Sequence, residues 1–130
     1  GPPAAQRYAQ LVHTVAHELR HVEQIQRGSP VFGAGRDVAE FQAEAIEILS
    51  PGMQLEGLSG TMKDAERALY HWARMSRIER RNNSDRFREV RDEIERRLDP
   101  VPPHVRQNET TPAGTSYATL LQSYQNVNPP

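Results

Sequence analysis

The sequence contains no cysteine. Disulfide stapling and thiolate coordination are therefore excluded, and any transition metal must be held by histidine, aspartate or glutamate. Long apolar runs are missing too. None approaches the roughly 20 residues that cross a bilayer, and no segment has the layout of a secretory signal, so a soluble chain without a membrane partner is expected. Aromatic residues are scarce at 6%, hydrophobic residues make up 36%, and mean hydropathy is -0.76. Such a chain supports a modest core with flexible ends rather than a large one. Internal repeats are absent as well.

At 130 residues the chain has the length of one domain. Gly1-Pro2 reads as a tag-removal scar, which leaves room for a longer natural protein. Residues 3–99 read as a helical domain. A first helix, about Ala5 to Arg27, places Leu11, Val12, Val15, Leu19, Val22 and Ile25 in a stripe, with His13, His17 and His21 on a neighbouring strip. Gly28-Ser29-Pro30, Gly33 and Gly35 break it. Asp37 is expected to cap a second helix to about Leu49, with Val38, Phe41, Ala45, Ile48 and Leu49 facing inward, and Pro51-Gly52 to end it.

Thr61 and Asp64 resemble a capping box for a third helix, about Met62 to Arg80, on which Ala65, Leu69, Trp72, Met75 and Ile78 line up. After a turn at Asn82-Asn83-Ser84, a fourth helix from about Asp85 to Leu98 buries Phe87, Val90, Ile94 and Leu98. Residues 100–130 read as a Pro-containing, partly extended tail with a short helix near Tyr117 to Tyr124. No stretch alternates like a strand. The expected fold is therefore an all-α domain of about four main helices.

Net charge is only -1, but nine arginines face six acids between Arg74 and Arg97. That density could mark a nucleic-acid surface. Opposite charges four residues apart (Arg88 with Asp92, Arg91 with Glu95, Asp92 with Arg96, Glu93 with Arg97) instead suggest a solvated helix face, so nucleic acid is not the expected partner.

One segment states a chemistry. Within Val15-Ala16-His17-Glu18-Leu19-Arg20-His21-Val22, two histidines four apart lie one turn above each other and can share a zinc ion, with a carboxylate between them. A catalytic zinc takes three protein ligands and leaves a fourth position open. Glu40, Glu44 and Glu47 recur along one face of the second helix, so Glu40 or Glu44 is the expected third ligand if that helix folds back on the first. Glu40 also fits a capping box with Asp37, and Glu47 is expected to be solvated or supporting. His13 and His71 are the remaining candidates.

Glu18, offset by one residue from His17, is placed to take a proton from water, the general-base role in hydrolysis of a polarised carbonyl. A group that stabilises the developing oxyanion is also needed. Tyr70, His71 and Arg74 are available for it, although Tyr70 and Trp72 fit core packing at least as well.

The stretch Thr14 to Gln24 resembles the active-site helix of gluzincin metallopeptidases, especially the HExxH domains of bacterial polymorphic toxins and contractile-injection-system effectors. Glu40-Phe41-Gln42-Ala43-Glu44 resembles the downstream Glu-x-x-x-Asp motif of prenyl-protein endopeptidase relatives. The resemblance spans about residues 12 to 47. It implies His17, His21 and Glu40 as zinc ligands, Glu18 as base, and Glu44 at the position where the family has aspartate. It further implies a protein or peptide substrate and an effector or toxin domain of a larger bacterial protein, secreted or delivered into a target cell. Gluzincins usually have a β-sheet before this helix, and here the motif begins too early for one. A non-enzymatic helical interaction module, with structural zinc or no metal, is the competing expectation.

Overall fold

A computed structural model of the chain describes residues 4, 7, 8, 10–12, 14, 15, 17–19, 35–50, 52 and 57–130. The described residues between 4 and 19 are helical. Among the described residues six helices follow: α1 (Arg36–Leu49), α2 (Leu58–Arg74), α3 (Arg77–Asn82), α4 (Ser84–Leu98), α5 (Pro103–Asn108) and α6 (Tyr117–Asn126). The fold is all-α, as the periodicity predicts, and among the described residues the only β pairing is one isolated bridge between Thr110 and Ser116. No described helix is long and apolar enough to cross a membrane.

Helix α1 presents Phe41, Ala45 and Ile48 to the interior, spaced at three and four residues. It packs on α2 and α4, and α6 closes the far side against α4. Aromatic rings run through the centre. Phe41 meets Trp72 at 5.5 Å between centroids, Trp72 meets Phe87 at 4.4 Å, and Phe87 stacks on Tyr124 at 5.2 Å. Tyr124 is fully buried, and its hydroxyl donates to the Ala65 carbonyl at 2.6 Å, which removes the cost of burying the polar tip. The segment expected to be a tail thus places Tyr117, Leu120 and Tyr124 in the core.

Local chemistry moves several helix ends. Helix α1 begins two residues earlier than expected, after Gly35, whose φ of 86° suits glycine. Asp37 lies in its first turn rather than at the cap, because its carboxylate accepts from His71 Nδ1 at 2.9 Å and pairs with Arg74 Nε at 3.3 Å. The capping-box alternative for Glu40 falls with it. Helix α2 likewise begins before the expected Met62, after Gly57 with φ 94°, and Thr61 sits inside it with its hydroxyl donating to the Gly57 carbonyl. Asp64 is therefore no capping partner and lies buried.

The expected third helix is two helices. Ser76 and Glu79 form a capping box: the Ser76 amide donates to Glu79 Oε1 at 2.8 Å and the Glu79 amide donates to Ser76 Oγ at 3.2 Å. Arg80 donates to the last carbonyls of α2, those of Trp72 and Ala73, at 3.0 and 2.7 Å. The resulting break turns Ile78 out to solvent instead of into the stripe.

Along α4 only the Glu93 and Arg97 pair forms as the spacing suggests. Arg88 pairs with Asp85 and with the Pro129 carbonyl, Arg96 with Glu93, and Arg91 donates to the Val127 carbonyl. Three-residue spacing and carbonyls of the C-terminal segment compete successfully with exposed pairs worth only a few tenths of a kcal/mol, about 0.2–0.5.

Candidate metal centre

Leu11, Val15 and Leu19 on the N-terminal helical residues are exposed, contrary to the expected inward stripe, and Tyr8 is exposed with them. At about 100° per residue they centre on the side opposite His17. His17 meets α1, where Glu40, Glu44 and Glu47 offer three carboxylates. These stand one turn apart along α1, offset from the Phe41, Ala45 and Ile48 stripe that holds the helix in the core.

His17 is the hinge of the arrangement. Its Nδ1 lies 2.7 Å from Glu47 Oε1, and its Nε2 lies 3.6 Å from Glu40 Oε2. A neutral imidazole that donates Nδ1–H to Glu47 directs its Nε2 lone pair toward Glu40, the orientation a carboxylate imposes on a metal-binding histidine. One ligand atom each from His17, Glu40 and Glu44 falls within 4.8 Å of the others. Both candidates for the third ligand therefore stand beside the same histidine. His21 and His13 lie outside the described residues.

Glu44 is the most buried of these carboxylates, and its Oε2 has no hydrogen-bond partner among the described residues. Burial pushes its carboxyl up to about 9, the charges of Glu47 and Asp64 add to the rise, and His17 opposes it. An imidazole nitrogen with two carboxylate oxygens, one of them from the buried Glu44, is a donor set that suits zinc. Glu47, expected to be solvated or supporting, is buried at 7% exposure and carries the supporting role through His17. Its place one turn beyond Glu44 was the available signal.

The carboxylates open into a cleft of about 360 Å³. Glu18, which is exposed, lines it beside His17, while Arg67 and His71 line it from α2. The Asp37 contact engages His71 Nδ1, leaving Nε2 as the ring nitrogen with a second role to play. Arg74 lies 5.5 Å from the Tyr70 ring centre and shares Asp37 with His71. Tyr70 is 58% exposed with its ring edge on to His71 at 5.1 Å, so the core-packing expectation fails for it and holds for its neighbour Trp72. Adjacent helical residues point about 100° apart, which here sets Trp72 inward and Tyr70, two residues before it, outward.

Asp64 was missed as a member of the cluster. It lies on the same α2 stripe as Thr61, Ala65, Ala68 and Trp72, all buried, and a charged residue on an otherwise uncharged stripe was the signal. Compared with protein-family models, curated proteins and solved structures, the chain matches none of them.

Proposed function

We propose that the cleft is the active site of a zinc-dependent metallopeptidase that cleaves a protein or peptide substrate. The observation that carries this reading is the meeting of His17, from the His-Glu-x-x-His segment, with Glu40 and Glu44 of α1. Of the described residues, His17 and one carboxylate of the Glu40 and Glu44 pair would hold the ion, and the His-Glu-x-x-His spacing assigns His21 as the third ligand, which leaves a fourth position for water. Bound zinc would supply Lewis-acid polarisation of a carbonyl and make a water acidic near neutral pH.

The chain's own residues do the rest. Glu47 fixes the His17 ring through Nδ1, so the ligand nitrogen needs no reorientation when the site fills. Glu18 takes the proton of the attacking water on its carboxylate and holds it for the leaving amine. His71, held by Asp37, offers a ring N–H to negative charge developing in the cleft when it carries both protons. The cleft exposes Glu18 while burying Glu44, which separates the residue that exchanges protons with water from the residue that binds the ion.

The test compares wild type with Glu18→Gln on a proteome-derived peptide mixture supplied with zinc. Metal content is expected to stay at one zinc per chain, and fragment production to fall by about a hundredfold or more. Equal fragment patterns would sink the reading. They would favour a non-catalytic interaction module, for which the exposed Tyr8, Leu11, Val15 and Leu19 face is the supporting observation.

A further inference from the structure

Glu44 and Glu47, which line the cleft, form with the buried Asp64 a group of more carboxylates than one zinc ion uses. Glu44, Glu47 and Asp64 each offer one oxygen, and these three oxygens lie within 4.8 Å of one another. They are 3%, 7% and 4% exposed. Carboxylates are almost never buried to this degree without compensation, because each leaves water at a cost of several kcal/mol. The imidazole of His17 compensates one oxygen of Glu47. At Glu44 the buried Oε2 has no hydrogen-bond partner among the described residues, although its side chain belongs to the cluster. A single proton shared between Glu44 and Glu47 would remove one charge of three. A divalent cation would remove two and give the orphaned oxygen a partner.

We propose that Glu44, Glu47 and Asp64 form a second cation site, for a hard divalent ion of the calcium or manganese class, with Glu44 as the residue common to this site and the His17, Glu40 and Glu44 trio. The donor set decides the class. A site made only of carboxylate oxygens suits hard cations, whereas the trio that includes imidazole suits zinc. Size agrees with this. Oxygens that share a calcium ion at about 2.3–2.6 Å are separated by at most about 5 Å, and the three oxygens stay within that span.

Glu44 has two oxygens and membership in both trios, which is what a bridging carboxylate requires, so the cleft holds a paired centre rather than a single ion. Pairing rests on the zinc reading above. The all-oxygen site stands on its own three residues. Asp64 arrives from α2 and Glu44 and Glu47 from α1, so the ion also ties the two helices together.

The experiment titrates the full, zinc-loaded chain with Mn2+, following free Mn2+ by electron paramagnetic resonance and zinc by elemental analysis. Wild type is expected to bind one Mn2+ per chain beyond its zinc, and Ca2+ to displace it. Asp64→Asn, which keeps the shape and removes the charge, is expected to lose at least about tenfold in Mn2+ affinity with zinc content unchanged. His17→Ala is expected to do the reverse, losing zinc while still binding Mn2+.

Far-UV circular dichroism checks the fold of each variant. If Asp64→Asn does not fold, wild type alone decides, through the rise in melting temperature on adding Ca2+ to the zinc-loaded chain. No Mn2+ beyond zinc in wild type, an Asp64→Asn affinity equal to wild type, or no shift with Ca2+ would each overturn the second site. Loss of zinc binding from wild type with Mn2+ binding retained would sink only the zinc reading.

Discussion

Helix α1 is buried along two faces of opposite chemistry. One face sets Phe41, Ala45 and Ile48 against Trp72, Phe87 and the other core residues. The second sets Glu44 and Glu47 beside Asp64 and His17. Each fully buried large apolar side chain on the first face stabilises the fold by about 1.5–3 kcal/mol. On the second face each buried carboxylate opposes folding until a proton, an imidazole or a cation offsets it. The same helix therefore supplies stability on one side and spends part of it on the other, as expected where a fold holds a reactive group in place. The candidate site lies on the face that is costly to bury.

The largest effect should come from the apolar side. Phe87 lies between Trp72 and Tyr124 with no exposure, so Phe87→Ala leaves a cavity among packed rings and is expected to cost about 3–5 kcal/mol. Chemical denaturation measures it. A loss below about 1 kcal/mol would mean that the aromatic row is not the centre of the core.

The acidic side should respond in the opposite direction. In protein stripped of metal, Glu44→Gln keeps the shape of the side chain and removes the titrating carboxyl, so a gain of about 1–3 kcal/mol is expected at pH 7. The same substitution should weaken zinc binding. Destabilisation of the stripped protein would show that Glu44 is not a burden and would erase the contrast between the two faces.

The smallest effect sharpens the boundary between them. Tyr124 donates to Ala65, and burial raises its phenol above the usual range, with the charge of Glu44 adding to the rise. A folded-state pKa above the unfolded value of about 10 means that the folded chain binds the proton more tightly. Its contribution is therefore complete below pH 10 and is lost as pH rises beyond it, at up to about 1.4 kcal/mol per pH unit. Tyr124→Phe should cost about 1 kcal/mol at pH 7 and remove that part of the alkaline slope in a series of melting curves. An unchanged slope would assign the alkaline loss to other groups.

Most of the apolar side was legible in the sequence because its rule is periodic. Phe87, Val90, Ile94 and Leu98 are all fully buried, as their spacing predicts. Failures occurred where a local polar bond competes with periodicity. Ser76 and Glu79 interrupt a pattern that continues through Ile78, and Asp37 leaves its capping role for His71. The stripe at Leu11, Val15 and Leu19 was legible as amphipathic, but a single helix does not reveal which face docks. The carboxylates of α1 draw the His17 face inward and leave the apolar face outside. At the candidate site, His17, Glu40 and Glu44 were legible from motif and spacing. Asp64 was not, because its neighbourhood is made by another helix.

The joint between α2 and α3 bears on the order of folding. Its bonds close within a few residues, Ser76 with Glu79 and Arg80 with Trp72, so they cost little loop-closure entropy. Contacts between His17 and Glu47, or Tyr124 and Ala65, must close much longer loops. Local corners of this kind form ahead of distant pairings, so the α2 platform that carries Asp64 should be in place before the histidine helix docks onto the acids. An ion bound among those late contacts would slow unfolding and leave the rate of folding nearly unchanged.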